Sequence, residues 1–148
     1  MELLHSWGIL GVTLDLDNTI VPWHTTFLTP PVRDWVVGLK AAHIRVCLLT
    51  NNYSPHVAQV ANELNVPIVS AAFKPLPAGF RRSLQHMGVA AGAALAIGDQ
   101  LFTDVLGAKL AGMRAIVVRP IGKREFPTTR ILRWLESPVY ALLRRRSA

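Results

Sequence analysis

Ile9-Leu10-Gly11-Val12-Thr13-Leu14-Asp15-Leu16-Asp17-Asn18-Thr19 is the stretch on which the reading of this chain turns. It is an apolar run too short for a helix of ordinary length, and two carboxylates interrupt it just before a turn-forming Asn-Thr. A buried strand that ends in acidic residues places charge at the carboxyl edge of a sheet, where open parallel sheets bind ligands. Alternation along the strand sends Asp15 and Asp17 to the same side, so both can face one group.

Four more runs of the same kind follow: Ile44 to Thr50, Ile68 to Ala71, Ala93 to Ile97 and Ala115 to Val118, giving five core strands with the first, Ile9 to Leu16. Between them lie stretches with helical spacing. Val32, Trp35, Val36 and Leu39 follow Pro30-Pro31, and Val57, Val60, Ala61 and Leu64 follow Ser54-Pro55. Prolines suit a first helical turn, Ser54 is placed to cap, and Gly88 and Gly112 stand where the third and fourth helices should stop. Continuous apolar strands alternating with helices predict a three-layer α/β fold, a doubly wound parallel sheet. At 148 residues the chain is one ordinary domain, divided here into a core over 1–120 and a basic amphipathic tail over 121–148.

The remaining strand ends repeat the pattern of the first. Thr50 closes the second strand, Lys74 follows the third, and Asp99 follows the fourth. The order Asp15-Leu16-Asp17-Asn18-Thr19, Thr50, Lys74, Gly98-Asp99-Gln100-Leu101-Phe102-Thr103-Asp104 resembles the four motifs of the haloacid dehalogenase (HAD) superfamily. Leu49-Thr50-Asn51-Asn52, Lys74-Pro75-Leu76-Pro77 and Gly79-Phe80-Arg81-Arg82 look like the YqeG-type phosphatases of subfamily IIIA, a group that includes phosphatidylglycerophosphatases.

The resemblance implies a phosphatase with Asp15 as nucleophile and Asp17 as general acid and base. It implies Mg²⁺ held by the Asp15 carboxylate, the Asp17 backbone carbonyl and the Asp99 carboxylate, a hard-oxygen set that suits this cation. Lys74 would offset phosphate charge, Thr50 and Asn51 would hold phosphate oxygens with Asn52 beside them, and Asp104 would support the site. Blander readings stand beside these. Asp104 could complement a helix dipole, Thr103 is expected as that helix's N-cap, and Thr50 and Asn52 could simply stabilise a turn. The five histidines show no ligand spacing, and His24 differs only by its place after the first strand. Trp23 and Phe27 in that loop could flank a substrate or pack the loop down.

Too few residues separate the motifs to hold a cap domain, so a capless site open to large substrates is expected. Residues 114 to 148 hold nine Lys or Arg against Glu125 and Glu136, whereas residues 1 to 113 hold seven of each sign, so the whole +7 charge lies in the last 35 residues, most of them in the tail. There Ile131, Leu132, Trp134, Leu135, Val139, Leu142 and Leu143 supply apolar character beside Arg130, Arg133, Arg144, Arg145 and Arg146. That reads as an interfacial segment, with Arg130, Arg133, Trp134, Arg144, Arg145 and Arg146 as membrane contacts, or else as a helix docked on the sheet. The expected partners are an anionic membrane surface and a lipid phosphate, with phosphatidylglycerophosphate as substrate and no dedicated nucleic-acid partner. Competing readings are a cytosolic phosphatase for another phosphomonoester, and an RNA- or ribosome-associated protein that keeps the fold as a scaffold. No run of about eighteen apolar residues and no basic leader is present, so a cytoplasmic, peripherally membrane-associated protein is expected. Cys47, the lone cysteine, excludes an internal disulfide and reads as a small core residue.

Overall fold

In the computed structural model of the chain, residues 2–122 are described; the tail contacts expected at Arg130, Arg133, Trp134, Arg144, Arg145 and Arg146 lie outside them. A short helix α1 (Glu2–Ser6) leads into β1 (Gly11–Leu14), and a long loop carries the chain to α2 (Pro30–Ala41). Then follow β2 (Arg45–Leu49), α3 (His56–Leu64), β3 (Ile68–Val69), α4 (Pro77–Met87), β4 (Ala94–Gly98), α5 (Leu106–Leu110) and β5 (Arg114–Val117). The strands form one parallel sheet in the order β3-β2-β1-β4-β5. The direction of winding reverses between β1 and β4, which opens a crevice at their carboxyl ends.

Two apolar layers cover the sheet. Val36 and Leu39 of α2 and Val57, Val60 and Leu64 of α3 pack on Val12, Leu14, Val46 and Leu48. On the other face Phe80 and Met87 of α4 and Ala108 of α5 pack on Cys47, Leu49, Ala94 and Ala96. Alternate residues of one strand thus serve opposite layers, and each strand reads as apolar throughout. The three-layer doubly wound architecture with five parallel strands is as expected, and among the described residues no subdomain interrupts β1 to β3. No described helix is long and apolar enough to cross a membrane.

Local chemistry explains where the helices begin and end, with two corrections. Pro30 and Pro77 open α2 and α4, and Gly88 closes α4 in the left-handed region at φ 61°. Asn65 closes α3 in the same conformation at φ 50°. Ser54 does not cap α3 with its side chain; the residue before that helix is Pro55, and the Ser54 hydroxyl is taken by Asn52. Thr103 is no N-cap either. It lies inside a π-helical turn, Leu101–Val105, that precedes α5, and its hydroxyl donates to Gln100 Oε1. Asp104 lies in the same turn and is buried.

Candidate active site

The polar side chains of the candidate site stand on segments that leave the carboxyl ends of strands, Asp104 on the π-helical turn after β4 and the others on loops. The Asp15 N–H continues the β1 ladder by donating to Ile97 O of β4 at 2.9 Å, so the first carboxylate sits in the crevice between those two strands. Its Oδ2 accepts the Thr19 hydroxyl at 2.8 Å, and its Oδ1 accepts the Lys74 ammonium at 2.5 Å. The same ammonium donates to Asp104 Oδ1 at 2.6 Å, and Asp104 Oδ2 accepts the Gln100 N–H at 3.1 Å. Asp15, Lys74, Asp99 and Asp104 are all buried. Gly98 is what permits this approach, because a Cβ there would stand 2.2 Å from the Asp104 carboxyl carbon.

Asp104 is therefore far more than an acidic residue near a helix start. One ammonium serves two carboxylates, and Asp99 is a third: Asp15, Asp99 and Asp104 can each present an oxygen within 4.8 Å of the others. Burial, followed by the charges of Asp104 and Asp99, outweighs the pull of Lys74 and raises the Asp15 carboxyl from 3.8 to about 7. For Lys74 burial acts the opposite way, but Asp104 and Asp15 overcome it and hold the ammonium above its ordinary value. The site has more negative charge than its own lysine can offset. Three carboxylates in a dry crevice fit a hard divalent cation such as Mg²⁺, which would restore the balance there. Asp15 and Asp99 are the carboxylates that the sequence nominates for it, and Asp104 joins them.

Asp17 is held differently. Its Oδ2 accepts Asn52 Nδ2 at 3.0 Å, while its Oδ1 is buried and accepts no hydrogen bond from the described residues. The amide of Asn52 is oriented by its own oxygen, which accepts the Ser54 N–H at 2.9 Å and the Ser54 hydroxyl at 2.5 Å. Asn52 thus presents an N–H to the carboxylate and cannot turn over without losing two bonds. Asn51 performs a parallel task on the other side. Its Oδ1 accepts the Lys74 N–H at 2.6 Å and its Nδ2 donates to the Lys74 carbonyl at 3.2 Å, which anchors the lysine's backbone. The neighbouring asparagines expected near phosphate both line the cavity, and their side chains also fix Lys74 and Asp17. Thr50 accepts the Asn52 N–H through its hydroxyl oxygen at 3.0 Å, so the turn-forming role holds for it while the same side chain lines the cavity.

The cavity above these groups measures about 440 Å³ and is walled by Asp15, Asp17, Thr50, Lys74, Trp23 and Tyr53, among others. Sequence reasoning missed Ser54, His56 and Gln100. His24 lines the cavity in a left-handed conformation at φ 58°, with its ring 5.7 Å from that of His56. His56 Nε2 lies 3.2 Å from the Ser54 hydroxyl. Two histidines without ligand spacing in the sequence are therefore neighbours, His24 on the loop after β1 and His56 at the start of α3. Only the strand order could have shown it.

The family model for haloacid dehalogenase-like hydrolases matches residues 9–112. The chain is 32% identical over 145 residues to a Bacillus subtilis protein named "Probable phosphatase YqeG", covering 98% of this chain and 84% of that one. It is 24% identical to the Arabidopsis thaliana "Phosphatidylglycerophosphate phosphatase 1, chloroplastic/mitochondrial", covering 97% of this chain but 43% of that protein. Among solved structures it resembles the cobalt-bound deoxy-D-mannose-octulosonate 8-phosphate phosphatase of Haemophilus influenzae. The TM-score is 0.64 at 21% identity over 77% of this chain and 72% of the other, a likeness of fold.

Proposed function

Since the chain belongs to the haloacid dehalogenase-like hydrolases, we propose that it is a Mg²⁺-dependent phosphomonoester phosphatase whose substrate is phosphatidylglycerophosphate at a membrane surface. The observation that carries the chemistry is the pairing of two unlike carboxylates at the end of β1. Asp15 is clamped by Thr19 and Lys74 and lies among like charges, whereas Asp17 is held by one oxygen and has no partner for the other among the described residues.

In the first step an oxygen of Asp15 attacks phosphorus and the bond from phosphorus to the alkoxide leaving group breaks. Asp17 gives that alkoxide its proton. In the second step water attacks phosphorus, Asp17 takes a proton from it, and the acyl phosphate bond to Asp15 breaks to release inorganic phosphate. Lys74 keeps Asp15 oriented and offsets the charge that gathers on the phosphoryl oxygens. Thr50 and the backbone N–H of Asn51, ahead of α3, receive those oxygens. Bound Mg²⁺ supplies charge neutralisation for phosphate and the Asp15, Asp99 and Asp104 carboxylates together.

The lipid rests on the kinship with the Arabidopsis protein and on the open, capless cavity. Phosphate release should be measured with and without Mg²⁺, from phosphatidylglycerophosphate in anionic vesicles and from a soluble phosphomonoester, in wild type and Asp15→Asn. Mg²⁺-dependent release that prefers vesicles and falls at least about a thousandfold in Asp15→Asn is expected. Release from the soluble ester alone would keep the chemistry and remove the lipid; release from neither would remove both.

A further inference from the structure

The carboxyl end of the sheet carries a feature that the chemistry leaves unused. Phe27, Tyr53, Phe73 and Leu76 stand on the loops after β1, β2 and β3, and they are 65%, 85%, 69% and 61% exposed. Phe73 adopts φ 54°, a conformation costly to a side chain of that size, and it presents the ring to solvent instead of burying it. Tyr53 also lines the cavity, and Phe73 directly precedes Lys74, whose side chain does the same. Charge is distributed to match. Among the described residues, the segments between the strand ends and the following α-helices hold four acids, Asp15, Asp17, Asp99 and Asp104, and all belong to the site; the exposed acids Glu2, Asp34 and Glu63 lie on helices.

The basic segment starts from the same edge. The Ile121 N–H donates to Asn18 O at 2.8 Å, beside Asp17, and beyond it the sequence carries Lys123, Arg124, Arg130, Arg133 and Arg144 to Arg146 against Glu125 and Glu136. Apolar side chains free of exposed acid, with cations starting alongside, are the chemistry of a surface that meets an anionic bilayer. At the opposite end of the sheet the exposed Trp7 differs: its carbonyl accepts Arg114, whose guanidinium lies 6.0 Å from the Trp7 ring centre.

We propose that this rim is the membrane-penetrating surface of the protein, with Phe27, Phe73 and Leu76 entering the acyl boundary of an anionic bilayer so that the catalytic cavity opens onto the headgroup plane. The inference deepens the phosphatase reading and takes its purpose from it. On this view the loops that shape the site also set its height above the lipid, and the basic tail adds attraction without deciding orientation.

Single cysteines at Phe27→Cys, Phe73→Cys and Leu10→Cys, each carrying an environment-sensitive fluorophore on the full chain, test it. Native Cys47 is buried with its thiol pushed up to about 12 by desolvation, so it does not compete for the label. With phosphatidylcholine vesicles containing phosphatidylglycerol, labels at 27 and 73 should shift to the blue while the label at 10, at the far end of β1, should not. In a second measurement the unlabelled double variant Phe27→Ser, Phe73→Ser should lose at least about tenfold in vesicle affinity, on the scale of one buried aromatic side chain. Its turnover of a soluble phosphomonoester should stay unchanged.

Vesicle binding with silent rim labels would show that the tail alone docks and would overturn the proposal. So would rim labels already in an apolar setting before vesicles are added, as cover by the tail or by a second copy would produce, and so would absence of vesicle binding. Because these readouts need no turnover, rim insertion without phosphate release would remove the phosphatase reading and leave this one standing. Release from soluble esters without insertion would do the reverse.

Discussion

The two ends of the sheet each carry a cavity, of about 440 Å³ at the carboxyl end and about 460 Å³ at the amino end, and they put charge to opposite uses. At the amino end α2, α3 and α4 finish, and their last carbonyls need donors. Lys40 supplies two of them, donating to Leu64 O and Asn65 O at 3.1 Å each, and Arg45 donates to Met87 O. Cations there are consumed as helix caps. At the carboxyl end the balance is left unequal, with one buried ammonium among Asp15, Asp99 and Asp104. Volume does not separate a site from a crevice in this protein. Unmet charge does.

Replacing the lysine should break that contrast most severely. In Lys74→Met two buried carboxylates lose their only described counter-charge, so we expect a loss of stability on the order of 3–5 kcal/mol by denaturant titration. Turnover should fall by about a hundredfold or more in whatever protein remains folded.

The next effect separates the two aspartates within the site. Asn52→Ala removes the donor that fixes Asp17, and kcat for an alkyl phosphate should drop about tenfold to a hundredfold. The drop should shrink for p-nitrophenyl phosphate, whose leaving group needs no proton. An equal loss on both esters would make Asn52 a phosphate ligand, as its place in the sequence suggested.

A third measurement reads the unequal charge directly as stability. With the folded Asp15 value raised from 3.8 to about 7, the metal-free fold binds this proton more tightly than the unfolded chain does. The associated stability is complete below 3.8 and is lost as pH rises through about 7. Added Mg²⁺ should therefore raise Tm more above neutrality than at weakly acid pH, and Asp99→Asn should reduce the gain. A pH-independent gain would count against the carboxylate cluster as its origin.

The smallest effect belongs to the far end. Lys40→Met should cost about 1 kcal/mol, the worth of capping hydrogen bonds at a half-exposed position, and leave turnover within about twofold. A large loss of activity there would mean that the amino-end cavity takes part in function after all.

How far the sequence could be read follows from the range of the forces involved. Strand and helix periodicities, Pro30 at a helix start, and Gly88 at a helix end are local, and each was legible from a few neighbouring residues. So were Asp15, Asp17, Lys74 and Asp99, because a polar residue that ends an apolar strand stands out against it. The boundaries at Ser54 and Thr103 were not, since both hydroxyls turned to side-chain partners, Asn52 and Gln100, and not to a helix end.

By itself the sequence determined a doubly wound parallel sheet with acids at its carboxyl edge, through patterns that repeat within single elements. The tertiary structure alone decided that Lys74 bridges Asp15 and Asp104, that Asn51 and Asn52 secure the lysine and the second aspartate, and that His24 meets His56. These pairings join loops from different strands, and which loops meet depends on strand order and on where the winding reverses. No periodicity along a chain records that, because it is settled by how whole layers pack.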